Sequence, residues 1–155
     1  MFNVVLVEPE IPPNTGNAGR LCLAAKSTLH LVKPLGFSLD HRQLKRAGLD
    51  YWDDVDVRIW DSLPALMEKK PAQDRCFFVT TKTERAYWDV KYKPGDFLIF
   101  GRETRGLPEN LLRENAENCI TIPMQDTRSL NLATAVAIVL FEAVRQQRAG
   151  KDGVE

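Results

Sequence analysis

Apolar positions along this chain fall into short, nearly continuous runs bounded by turn residues. The runs Asn3 to Val7, Leu29 to Lys33, Val55 to Trp60, Cys76 to Thr80, Phe97 to Phe100 and Cys119 to Ile122 are rich in β-branched and aromatic side chains and predict buried strands. Between them the spacing predicts helices over Thr15 to Lys26, Asp40 to Ala47, Ser62 to Lys69, Pro108 to Asn115 and about Asn131 to Arg148. Asp40 with Gln43 fits a capping box, Ser62 precedes Pro64 in a first turn, and Pro108 suits a first helical position. This alternation predicts an α/β fold with a mainly parallel sheet flanked by helices. Functional groups of such a sheet gather at the carboxyl ends of its strands, where loops lead into helices.

Composition narrows the picture. With 155 residues, 44% of them hydrophobic, the chain can bury one core. A single domain over residues 1–148 is expected, with a flexible tail at 149–155 and fraying from Gln146 onward. The 21 basic residues balance 21 acidic ones, so a nucleic-acid partner would have to be met by a local patch. Cys22, Cys76 and Cys119 are odd in number and widely spaced, matching neither a disulfide framework nor a zinc site, and read as small buried apolar residues. His30 lies in an apolar strand and His41 beside a cap, positions that suit core or surface histidines better than catalysts. Leu132 to Val144 is too short for a bilayer and contains Thr134 and Glu142, so it reads as a buried or interface helix. Met1 leads directly into a strand with no secretory leader pattern, and a reducing, cytoplasmic location is expected.

Three strand-end loops could carry chemistry. The first runs from Glu8 to Arg20, where prolines stiffen the approach and Asn14 or Thr15 can cap a helix bearing Arg20 about a turn and a half in. It can be read as a capped helix with a surface arginine, or as an RNA contact through Asn14 and Arg20. The second is Gly101 to Pro108, whose two glycines allow a tight turn and close approach to a ligand. Its G-x-x-x-x-G spacing is that of a phosphate loop, but Leu107 and Pro108 stand where lysine and serine or threonine are needed. A turn closed by a Glu103–Arg105 or Glu103–Arg102 ion pair is the simpler alternative. The third runs from Pro123 to Ala133, in which Ser129 and Asn131 are N-cap candidates for a helix of small residues. No dinucleotide fingerprint, nucleophile elbow or H-E-x-x-H helix occurs.

Together the loops resemble the three motifs of the SPOUT (SpoU-TrmD) methyltransferases: N-x-G-N-x-x-R at Asn14 to Arg20, a strand followed by G-x-E-x-x-G up to Gly106, and I-P-M…S-x-N-L at Ile122 to Leu132. Their order and spacing extend over nearly the whole chain. The segments Glu8 to Asn17 and Arg46 to Trp52, and the lack of an added RNA-binding domain, look like the minimal, TrmL-type branch, the tRNA (cytidine/uridine-2′-O-)-methyltransferases of the wobble nucleotide. The resemblance implies a C-terminal deep trefoil knot, a homodimer, a tRNA anticodon stem-loop as partner and S-adenosylmethionine as methyl donor, with no metal.

Carried over by position, the cofactor residues would be Val79, Thr80, Gly101, Glu103, Gly106, Ile122, Met124, Ser129, Leu130 and Asn131. Arg20 would be catalytic, and Asn14, Arg20, Arg42, Lys45, Arg46 and Arg105 would meet RNA. Phe141 stands where some relatives have tyrosine. A guanidinium is a poor base at neutral pH, so Arg20 is expected to hold the neighbouring phosphate and acidify the 2′-hydroxyl, leaving the proton to water or phosphate. Alternatives are a ribose methyltransferase for ribosomal RNA or another tRNA position, and a non-catalytic RNA-binding module.

Overall fold

The computed structural model describes residues 1–39 and 51–152. The helix expected over Asp40 to Ala47 with its capping box, His41, and the basic cluster Arg42, Lys45 and Arg46 lie outside the described residues.

Strands β1 (Asn3–Val7), β2 (Thr28–Val32), β3 (Val57–Trp60), β4 (Cys76–Val79), β5 (Phe97–Phe100) and β6 (Cys119–Ile120) form one sheet in the order β3-β2-β1-β5-β4-β6. Every neighbouring pair is parallel. The four described α-helices are α1 (Pro12–Ala24), α2 (Leu63–Lys69), α3 (Glu109–Glu114) and α4 (Leu132–Asp152). Strand order runs outward from β1 to β3 and then resumes on the far side of β1, so the direction of winding reverses between β1 and β5. Ligand crevices form at such reversals.

Period-two alternation along the strands sorts the core into two layers. Val4 and Leu6 of β1, with Leu29, Leu31, Leu98 and Phe100, pack with Ala18 and Cys22 of α1 and Val136, Val139, Leu140 and Ala143 of α4. Val5 and Val7, with Val32, Phe78 and Ile99, pack with Leu66 of α2 and Leu112 of α3. Burial on both faces explains why β1, β2, β4 and β5 read as continuous apolar runs. β3, expected to be buried like the others, is an edge strand with Arg58 and Ile59 exposed, since nothing among the described residues pairs beyond it. All three cysteines are buried, and burial pushes the Cys22 thiol up to about 12 and the Cys76 thiol to about 11, as expected of packing residues.

Several helix ends differ from expectation. α1 begins at Pro12 after an extended Ile11, so Asn14 and Thr15 lie inside the helix and cap nothing. The prolines at its first positions set φ for the helix and lack amides that would have no acceptor there. Pro108 precedes α3 as its N-cap residue and is not its first helical residue. The tail expected to fray from Gln146 is helical through Asp152. Gln146 there receives a hydrogen bond from the Tyr92 amide at 2.9 Å and donates to the Val90 carbonyl at 2.9 Å, while Gln147 donates to the Tyr92 carbonyl at 2.8 Å. The Ser62 cap forms as expected, accepting from the Ala65 amide at 3.2 Å.

Candidate functional site

At the carboxyl end of the sheet the loops after β1, β4, β5 and β6 surround a cavity of about 500 Å³. All ten positions expected to meet the cofactor line it, as do Asn14 and Arg105. Its walls combine apolar residues such as Val79, Phe100, Ile122 and Leu130 with polar ones such as Asn14, Thr80 and Ser129, a mixture and size suited to a small ligand with a flat apolar part and a polar part.

Side chains brace the loops around that space. The Glu103 carboxylate accepts from the amides of Glu10 at 2.8 Å and Ile11 at 3.1 Å, and from Asn14 Nδ2 at 3.3 Å. In return Glu10 Oε1 accepts from the Thr104 hydroxyl at 2.7 Å and the Thr104 amide at 3.1 Å. These two Thr104 bonds, hydroxyl first, hold the Glu10 carboxyl below its ordinary range, with further help from the charges of Arg102 and Arg105. Asn14 is only 6% exposed and has both ends of its amide in use, because its Oδ1 accepts from Asn131 Nδ2 at 2.9 Å. Asn131 Oδ1 in turn accepts from the Thr134 amide at 3.2 Å, which makes Asn131 the cap of α4. A continuous chain of bonds, Glu103–Asn14–Asn131, thus joins the three motifs. The ion pair expected between Glu103 and Arg102 or Arg105 is replaced by this brace: amides of the first loop, held at fixed positions, converge on the carboxylate, whereas a flexible surface arginine gains little from a solvated pair.

The glycines of the second loop have different causes. A Cβ on Gly101 would stand 2.1 Å from the Gly106 carbonyl carbon and 2.3 Å from the Leu107 nitrogen, both backbone atoms. Gly101 is therefore required by closure of the loop on itself, and not by approach to a ligand as its sequence context suggested. Gly106 has φ +66 with open space beside it, and its amide closes the turn on the Arg102 carbonyl at 2.9 Å.

Arg20 does not line the cavity. It is exposed on α1, about two turns in and not the expected turn and a half because the helix starts at Pro12, with its guanidinium carbon 5.5 Å from the centroid of the Tyr51 ring. Two contributors escaped the sequence reading. Lys82, just beyond β4, lines the cavity and pairs with Glu109 at the start of α3 at 2.8 Å; the strand-end rule applied two residues beyond Thr80 would have found it. Tyr51 lies in the segment Arg46 to Trp52 that resembles the minimal branch, but its place beneath Arg20 is a contact made across the fold and could not be read from the segment.

Known proteins agree with this geometry. The SpoU rRNA Methylase family matches residues 1–141. The tRNA (cytidine(34)-2′-O)-methyltransferase of Burkholderia ambifaria is 48% identical over 158 residues, covering 99% of each chain. A solved structure concerned with the 2-OH methylation of C/U34 on tRNA superposes with a TM-score of 0.90 at 45% identity, covering 96% of this chain and 97% of the other. An AdoMet-bound rRNA methyltransferase from Sinorhizobium meliloti does so with a TM-score of 0.79 at 27% identity, covering 93% of this chain and 56% of the other. Kinship that extends along nearly the whole chain, through all four loops of the cavity, leaves one conclusion: the chain belongs to the SpoU rRNA methylase family.

Proposed function

We propose that this protein transfers a methyl group from S-adenosylmethionine to the ribose 2′-hydroxyl of the wobble nucleotide of tRNA, a cytidine or a modified uridine. The observation that carries the reading is the meeting of the three motif loops around one cavity, braced through Glu103, Asn14 and Asn131. The near-full-length relative named for cytidine 34 supports the position, and the AdoMet-bound neighbour supports the methyl donor.

The residues present fit that donor. Backbone groups at Val79, Thr80, Gly101, Gly106, Ile122 and Met124 offer hydrogen bonds to an adenine and ribose, and the apolar walls exclude water. Ser129, Leu130 and Asn131 close the third side, while Glu103 acts by holding the loops, its carboxylate being occupied by the first loop. The bound donor supplies a methyl group already activated by its sulfonium. What the chain must add is alignment and relief of the charge that develops on the attacking oxygen. In this reading Arg20 meets the RNA outside the cavity, gripping a phosphate through two N–H groups and lowering the pKa of the hydroxyl, whose proton passes to water or phosphate. Arg105 lines the cavity and is assigned to the anticodon stem-loop, as are Arg42, Lys45 and Arg46 by their charge alone.

The same reading includes the knot, the homodimer and a cytoplasmic location. Thr121 lends support to the knot: its amide donates to Arg85 and its carbonyl accepts from Tyr87, so the β4–β5 connection borders β6 on the side away from β4. Exposed Leu23 on α1 and Phe141 on α4, two helices that pack together, offer apolar surface for a second copy. Among the described residues no helix is long and apolar enough to cross a membrane. Nucleoside mass spectrometry of tRNA from cells with and without the gene tests the function. Loss of a 2′-O-methylated wobble nucleotide is expected; an unchanged wobble position with a methyl missing from ribosomal RNA would reassign the substrate.

A further inference from the structure

Arg20 leaves α1 as an exposed side chain, and among the described residues it makes no ion pair. A long flexible cation in that situation samples many rotamers, which is a poor arrangement for a group that must meet one oxygen of a substrate. The structure supplies a constraint from another part of the chain. The guanidinium carbon of Arg20 stands 5.5 Å from the Tyr51 ring centroid, within the range at which a cation is held by an aromatic face.

Tyr51 is itself tied to the helix that carries Arg20. Its hydroxyl donates to the Gly16 carbonyl at 2.9 Å. In an α-helix that carbonyl is the acceptor for the amide four residues on, which is that of Arg20. The next residue, Trp52, presses its ring on the bare helix backbone, where a Cβ on Gly19 would lie 2.8 Å from Trp52 Cζ3. A 3-10 turn over Trp52–Asp54 fixes the pair, with the Asp54 amide donating to the Tyr51 carbonyl at 3.0 Å. The ring is thus anchored to one turn of α1 at its hydroxyl and through its neighbour, and its backbone is held by the 3-10 turn.

We propose that Tyr51 is a positioning residue for Arg20: its ring is a plate that holds the guanidinium flat, ready to grip the RNA phosphate and face the 2′-hydroxyl. This rests on the proposed function. The phenol takes no proton in the reaction, because its O–H is already given to a carbonyl and burial raises its pKa, with the Arg20 charge opposing.

Single-turnover methyl transfer to tRNA by wild type, Tyr51→Phe and Tyr51→Leu, with S-adenosylmethionine affinity by calorimetry, tests the proposal. The phenylalanine variant keeps the plate and is expected within about threefold of wild type. The leucine variant is expected to lose roughly 3- to 30-fold in rate, the range of a cation–π contact, with donor affinity unchanged. In an Arg20→Ala background Tyr51→Leu should leave tRNA affinity where it was, since the plate has nothing left to hold. A wild-type rate in Tyr51→Leu overturns the proposal, and so does an equal loss of donor affinity or an equal tRNA effect without Arg20. The Arg20 side-chain protons of the wild-type protein should also be shifted upfield by the ring, a reading independent of whether the leucine variant folds; unshifted resonances overturn the proposal. A wild type that methylates no tRNA removes the underlying function and this inference with it.

Discussion

The two ends of the sheet are built from similar material and finish differently. At the amino end the Asp96 side chain, 3% exposed, accepts from Arg75 Nε at 3.1 Å and Nη2 at 2.7 Å and from the Lys93 amide at 2.8 Å. Asn3 Nδ2 donates to the Gly95 carbonyl, and the Phe2 amide donates to Ser27 Oγ, so the turns there fold down onto the strands. At the carboxyl end Glu103 is also a carboxylate with three donors, yet they come from the loop after a different strand, and Asn14 passes the connection to a third. Asp96 ties its own turn to the one before the neighbouring strand β4, and that closes the amino end of the sheet. Glu103 ties its loop to the loop after β1, and Asn14 ties that loop to the start of α4, so three loops are propped around a space, and that space is the cavity.

The comparison can be broken most sharply at Gly101. Gly101→Ala sets a methyl against the Gly106 and Leu107 backbone and should cost more than about 3 kcal/mol in denaturant unfolding, with loss of donor binding in calorimetric titration. Gly106→Ala meets open space and should cost only about 1 kcal/mol for its positive φ. Equal effects at the two glycines would show that the loop does not close on itself.

Asp96→Ala strikes the closed end. It leaves the Arg75 fork and the Lys93 amide without their acceptor and should destabilise by about 3 kcal/mol, while donor affinity of the folded fraction stays unchanged. A fall in donor affinity would mean that the two ends are coupled.

His30 gives the amino half of the sheet a pH dependence. Trp60 Nε1 donates to its Nδ1 at 3.0 Å, so Nδ1 is an acceptor and Nε2 carries the hydrogen given to Asn3 Oδ1 at 2.9 Å. Burial first, then the Arg58 charge, lower its pKa from 6.5 to about 4 against the opposing charge of Asp56. A lowered folded-state value means that the unfolded chain takes up the proton first as pH falls. Stability is therefore intact above pH 6.5 and falls by roughly 3 kcal/mol towards pH 4. Urea unfolding of wild type and His30→Leu at several pH values in that window should show this slope in the wild type alone.

A smaller effect than at Asp96 or His30 belongs to the brace. Asn131→Ala removes the cap of α4 and the bond to Asn14, for about 1 to 2 kcal/mol of stability, and should weaken donor binding about tenfold as the third loop loosens. Donor affinity equal to wild type would show that the cap matters to the helix only.

Much of the architecture was legible in the sequence because it is set locally. Apolar runs such as Val4 to Val7 and Phe97 to Phe100 became strands buried on both faces, and Gly101, Ser129 and Asn131 could be placed at strand ends because loops follow where the apolar pattern stops. Helix starts were less legible: Asn14 has the chemistry of a cap, but the prolines before it begin the helix earlier, leaving its amide free for another use. Only the tertiary structure decided that use, the partner of Glu103, the reason for Gly101 and the ring beneath Arg20. The Glu10–Glu103 bond joins residues 93 apart, and Asn14–Asn131 residues 117 apart. Side-chain type and spacing state what a residue can bond, but which groups arrive opposite it depends on how parallel strands from distant parts of the chain are brought side by side.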